Sequence, residues 1–185
     1  MFDGNVTVIK ATLVFLFVIV QLVPTSHAQS LDEPTGPVIL TISGSIDVYN
    51  SQNDLTENTD SPMTARFDLA MLENIGLTQV TTETPWTKGL MTFEGVLARD
   101  LMKGVMARGN SVRASAFDNY SVDIPIEDFQ NYDVIVATRI NGKIMRVRDN
   151  GPLWVIYPWT DKPELKRPYF FARSIWQLHS IVVNP

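Results

Sequence analysis

Asn141-Gly142 constrains this chain more than any other pair of residues. It separates DVIVATRI (133–140) from KIMRV (143–147), two runs rich in β-branched and apolar side chains. A two-residue connection between strands needs positive φ at both positions, and Asn and Gly adopt it at low cost. The spacing therefore predicts an antiparallel hairpin closed by a type I′ turn. A second hairpin is predicted where VRASAF (112–117) and YSVDI (120–124) flank Asp118-Asn119. Further strands are expected at VILTIS (38–43), ended by Gly44, at 77–83, and at SIWQLHSIVV (174–183). In the last of these, Trp176, Leu178, Ser180 and Val182 alternate with Gln177 and His179. LWVIY (153–157) is apolar throughout, which fits a strand buried on both faces.

Helical signals are fewer. Asp68 before LAMLENI and Gly76 after it bracket a short helix over 69–75. LARDLMKGVMA (97–107) places Leu97, Leu101 and Val105 on one face, although Gly104 weakens the element. Pro125 opens a short polar turn around Glu127 and Asp128, and 158–168 reads as a loop rich in Pro and Lys. NSQNDLTENTDSP (50–62) reads as a surface loop, and its Asp54, Glu57 and Asp60 lack EF-hand spacing. The pattern is that of one α+β domain, sheet-rich, with two short helices.

Composition removes several functions. The chain has 185 residues, 15 Lys plus Arg against 20 Asp plus Glu, two His and no Cys. Disulfides and cysteine-based metal or redox sites are excluded. The net charge of −5, without a basic run, argues against nucleic acid as a partner. A hydrophobic content of 45% is ample for a packed core.

Residues 11–23, ATLVFLFVIVQLV, follow Lys10 and precede Pro24 and Thr25-Ser26-His27-Ala28. A positive flank, an apolar run too short to span a bilayer and a small-residue exit predict a secretory signal over 1–28, cleaved after Ala28. A polar leader, 29–37, would follow. Residues 1–28 contain no Arg, so a twin-Arg export signal is absent. The expected location is periplasmic or secreted, with no stable membrane insertion after cleavage.

No Walker A, G-x-G-x-x-G, H-E-x-x-H or G-x-S-x-G motif occurs. His179 would be the only histidine left after cleavage, and it sits beside Gln177 in a strand pattern. Trp86 follows a strand, Trp154, Tyr157 and Trp159 surround Pro158, and Arg139, Arg146 and Arg148 lie on or just past the Asn-Gly hairpin. Aromatic walls with Arg donors suit an anionic, planar ligand. The alternative is a tryptophan core and a solvated arginine face.

Taken together, FEGVLARDLM (93–102), AFDNYSVDIPIEDF (116–129), DVIVATRINGKIM (133–145), NGPLWVIYPW (150–159) and SIWQLHSIVV (174–183) resemble the molybdopterin-binding domain of the sulfite oxidase family. The resemblance runs over 38–183 and is strongest to small exported single-domain members. It implies that family's mixed fold and, in its catalytic members, molybdopterin-dependent oxidoreductase chemistry. Gly95 matches the family's helix entry, and Asp118-Asn119-Tyr120 its D-G-Y turn. Pro125, Asn141-Gly142, Pro152 and Pro158 match its later landmarks. In the family a loop cysteine holds the molybdenum. The resemblance puts Thr82 at that place, with Glu83 and Thr84 as alternatives, and none is a thiolate. The family's G-x-P-x-R arginine is replaced by Trp154. Members that carry the cofactor outward fold first and leave by the twin-Arg route, which this leader does not provide.

The resulting expectation is a binding module with no catalytic or metal-ligating residue and no resident cofactor, molybdopterin being the one the resemblance implies. Its cleft would use Trp86, Asp118, Asn119, Tyr120, Arg139, Arg146, Arg148 and Trp159. Its partner would be an anionic or planar small ligand, or an envelope protein. Two alternatives stand beside it. One is a molybdopterin oxidoreductase ligated by oxygen through Glu83 or Thr82. The other is an envelope sensory or interaction subunit that takes no small ligand and makes contact through the acidic loop or an exposed tryptophan patch.

Overall fold

A computed structural model describes residues 31–51 and 63–185. The predicted signal, part of the polar leader and most of the 50–62 loop lie outside the described residues. Among the described residues ten strands form two sheets. The first has the order β2 (Ala65–Phe67), β1 (Leu40–Gly44), β10 (Leu178–Asn184), β5 (Ser111–Ala116) and β6 (Ser121–Pro125). Its β1–β10 pair is parallel and the others are antiparallel. The second has the order β3 (Thr78–Thr82), β4 (Met91–Leu97), β7 (Ile135–Ile140) and β8 (Lys143–Ile144), with β9 (Trp154–Ile156) also paired to β7.

The Asn-Gly hairpin joins β7 to β8. Asn141 has φ 49° and Gly142 has φ 74°, the two positive values that a type I′ turn requires. β7 and β9 are buried on both faces because they serve two cores. Val134, Val136 and Val155 face the large cluster shared with the first sheet and the helices. Ile135, Ala137, Trp154 and Ile156 face a smaller cluster with Phe93, Val80 and Met145. This alternation explains the unbroken apolar runs.

Helix α1 spans Leu69–Ile75, and Asp68 caps it as its sequence predicts, accepting from the Met71 amide at 2.8 Å. The same carboxylate accepts from the Thr35 and Gly36 amides at 2.9 and 2.8 Å, so it also ties down the incoming chain. These backbone donors hold the Asp68 carboxyl below its ordinary value of 3.8, led by the Met71 bond. The stabilisation is present above that value and is lost as pH falls through the lower, folded one. Asp68→Ala is expected to cost about 1–2 kcal/mol at neutral pH. Urea denaturation should show the gap between variant and parent narrowing below pH 3.8. A gap that stays constant down to acid pH would refute the assignment.

The structure corrects several expectations. Both expected helices are present, each of seven residues, and among the described residues two shorter ones of six join them. The polar turn after Pro125 is helix α3 (Ile126–Asn131), and 168–173, which gave no periodic signal, is helix α4 (Pro168–Arg173). Both have only six residues, too few for a helical period to stand out. Helix α2 is Ala98–Gly104, shorter at both ends than 97–107. Gly95 is not a helix entry. It lies in β4 at a bulge against β7, where a Cβ would strike the Val136 carbonyl and Ala137 Cα. The last strand starts at Leu178, not Ser174, and a register shift between Leu178 and Ser180 resets its faces. Ile181 and Val183 are therefore buried and Val182 is exposed, opposite to simple alternation.

Candidate functional site

A cavity of about 250 Å³ opens where three segments meet. The loop after β3 supplies Trp86. The β5–β6 turn supplies Ala116, Asp118 and Tyr120. The stretch from α4 to β10 supplies Phe171 to Trp176, with Arg173 outside the lining. Each segment is held by its own polar contacts. Thr84 and Thr87 join hydroxyls at 2.9 Å, and the Thr84 hydroxyl accepts from the Trp86 amide at 3.2 Å. The Asp118 carboxylate accepts from the Tyr120 amide at 2.9 Å, while Asn119 turns the chain with φ 68°. The Tyr120 hydroxyl donates to the Ala172 carbonyl at 3.1 Å, which locks the turn onto the opposite wall. Ser174 donates to the Val155 carbonyl at 2.6 Å, and its hydroxyl oxygen lies 3.1 Å from Trp154 Nε1.

Trp86 is the centre of an aromatic cluster. Its ring centroid lies 5.3 Å from Trp176, 5.9 Å from Trp154, 6.3 Å from Trp159 and 6.4 Å from Phe171. Trp154 and Trp159 are core residues, each 1% exposed, whereas Trp86 is 40% exposed. Trp159 Nε1 has no hydrogen-bond partner among the described residues.

The residues expected in one cleft fall into separate places. Trp86, Asp118 and Tyr120 line the cavity, Asn119 forms the turn beside it, and Trp159 lies beneath Trp86 in the core. None of the three arginines is in the lining. Arg139 makes a two-pronged pair with Glu73 at 2.8 and 2.9 Å, which holds the Glu73 carboxyl below its usual range. Arg146 pairs with Asp149 at 2.7 Å near the β7–β8 hairpin, and Arg148 is exposed beside the same carboxylate. The aromatic walls and the arginine donors are thus not partners. Phe171 and Trp176 were not singled out for the cleft. Their only signal was aromatic character, and their placement depends on α4 and the late start of β10. His179 stacks on Phe117 with ring centroids 4.9 Å apart.

Thr82, at the place where the resemblance expects a metal-binding thiolate, is fully buried at the end of β3. Its hydroxyl accepts from the Thr160 amide at 3.0 Å and lies 3.2 Å from the Thr160 hydroxyl. The Glu83 amide donates to that second hydroxyl at 3.1 Å. Thr82 therefore joins two loops. Among the described residues no group of three or more His, Asp or Glu side chains is placed to hold a metal. The resemblance implies a cysteine thiolate as the protein's own ligand to molybdenum, a soft donor. None of Thr82, Glu83 and Thr84 offers a thiolate, and the buried Thr82 hydroxyl is already engaged with Thr160, so these residues do not fit the family's cysteine ligation.

No curated protein matches the sequence. The family described as the oxidoreductase molybdopterin binding domain matches residues 51–161, more than half of the chain. That span runs from β2 through β9 and includes Thr82, Trp86, Asp118 and Tyr120, while Phe171 and Trp176 lie beyond it. The two-sheet fold and this match place the chain in the oxidoreductase molybdopterin-binding domain family, that of sulfite oxidase, as a member without cysteine.

Proposed function

We propose that this protein is a non-catalytic binding module that retains its family's fold and works without molybdenum. The observation that carries this reading is Thr82. The position where the family's metal thiolate is expected holds a buried hydroxyl already committed to Thr160. In place of a metal centre, the fold offers a preformed aromatic cavity between Trp86, Tyr120 and Trp176. Cavities of this kind hold small molecules by apolar contact, with a few polar groups to orient them.

Export through the leader at 1–28 belongs to the same proposal. Among the described residues no helix is long and apolar enough to cross a membrane. A Sec-type leader delivers an unfolded chain, which suits a module that fills its cavity after crossing.

The test is elemental analysis with pterin fluorescence on protein isolated from its native source. The expected result is molybdenum and pterin both far below one per chain. Near-stoichiometric amounts of both would overturn the proposal. An oxygen-ligated enzyme would then lead, with Thr82 and Glu83 the first residues to replace.

A further inference from the structure

We infer that the aromatic cavity is a cage for a small organic cation of the quaternary ammonium class. The inference rests on the binding-module reading and names its ligand chemistry. Three observations carry it.

The first is the arrangement of the rings. Trp86 and Trp176 stand at 78° to each other with centroids 5.3 Å apart, and Phe171 stands at 85° to Trp86. These are edge-to-face contacts between the rings, and Trp86, Phe171 and Trp176 each also border the cavity, so a cation held there lies beside more than one ring. A cation within about 6 Å of several ring centroids gains from each quadrupole, and Trp gives the most.

The second is charge. Asp118 is the one charged residue in the lining. One of its oxygens takes the Tyr120 amide, and among the described residues it has no cationic partner. An anion entering this cavity would meet a carboxylate and no Lys or Arg. A cation would meet a counter-charge.

The third is hydrogen bonding. The Tyr120 hydroxyl is committed to Ala172 and the Ser174 hydroxyl to Val155, so two polar groups of the lining are already engaged. A pterin, with polar edges on several sides, loses water here and regains little. A quaternary ammonium has no N–H to satisfy and needs only π faces and the carboxylate. The cavity volume of about 250 Å³ also suits a ligand of few heavy atoms.

The experiment compares choline with its uncharged carbon isostere, 3,3-dimethyl-1-butanol, and with the anionic pterin-6-carboxylate. Binding to the purified full chain is read by calorimetry and tryptophan fluorescence. Choline is expected to bind at least about tenfold more tightly than the isostere, because shape is matched and only charge differs. Trp86→Ala should weaken choline by about tenfold or more, and Asp118→Asn by about threefold, with the Asp118 contribution shrinking as salt rises. Asp118→Asn keeps the turn's acceptor, so it serves even where Trp86→Ala disturbs the fold. Equal binding of choline and the isostere, tighter binding of the pterin, or no saturable choline binding would each overturn the cation assignment. Metal analysis of the same preparation separates the two failures. Molybdenum-free protein that ignores choline loses only this inference, whereas protein loaded with molybdenum and pterin loses the binding module as well.

Discussion

Arg173→Met is expected to destabilise the protein by about 3 kcal/mol, because it strands a buried carboxylate. Asp128, in α3, has a side chain only 10% exposed. One of its oxygens receives both the Arg173 guanidinium at 2.9 Å and the Tyr157 hydroxyl at 2.8 Å. Burial, reinforced by Asp128, pushes the Tyr157 phenol well above its ordinary value, so the hydroxyl stays a donor at any physiological pH. The three residues tie α3, α4 and the end of β9 together. Arg173 also lies over the Tyr169 and Phe170 rings, 5.2 and 5.4 Å from their centroids, and Met keeps much of that packing. What it loses is the charge. Breaking a buried pair costs more than the pair is worth, because the remaining ion is left uncompensated. The double variant Arg173→Met with Asp128→Asn should therefore recover part of the loss in a urea-denaturation cycle. A single-variant loss below about 1 kcal/mol would mean that the pair behaves as a solvated surface contact.

Trp154→Ala is expected to cost about 4 kcal/mol, in the range for removing a fully buried indole. Trp154 packs edge-on to Phe93 at 5.5 Å and to Trp176 at 6.0 Å, and its Nε1 donates to Ser174. It supports the floor of the cavity and one strand of the second sheet at once. The loss should appear in both global stability and ligand binding. Trp86→Ala should lower the denaturation midpoint clearly less than Trp154→Ala does, because Trp86 is 40% exposed while Trp154 is 1% exposed. Similar midpoints for the two variants would mean that Trp86 is also a core residue and that the cavity wall is structural.

What could be read along the chain was what local chemistry decides. The Asn141-Gly142 turn, the Asp68 cap and the short α1 follow from dihedral preferences and from hydrogen bonds between residues at most a few positions apart. The double burial of β9 followed from composition over a few residues. The Gly95 bulge did not, because it answers to Val136 and Ala137 on a different strand. Nor did the face of β10, where one register shift exchanges inside for outside.

The cavity shows the same division. Asp118 and Tyr120 form a local turn and were found together, whereas Phe171 and Trp176 reach them only through α4 and the Tyr120–Ala172 bond. The arginines looked like ligand donors while their partners were unknown. Folding gives Arg139 to Glu73 and Arg146 to Asp149. The absence of cysteine, and with it of thiolate ligation, was decided by the sequence by itself, because no fold can supply a missing atom. Which charges meet, and which rings pack edge-to-face beside the cavity, was decided by the tertiary structure alone. Those distances depend on side chains brought together from positions tens of residues apart.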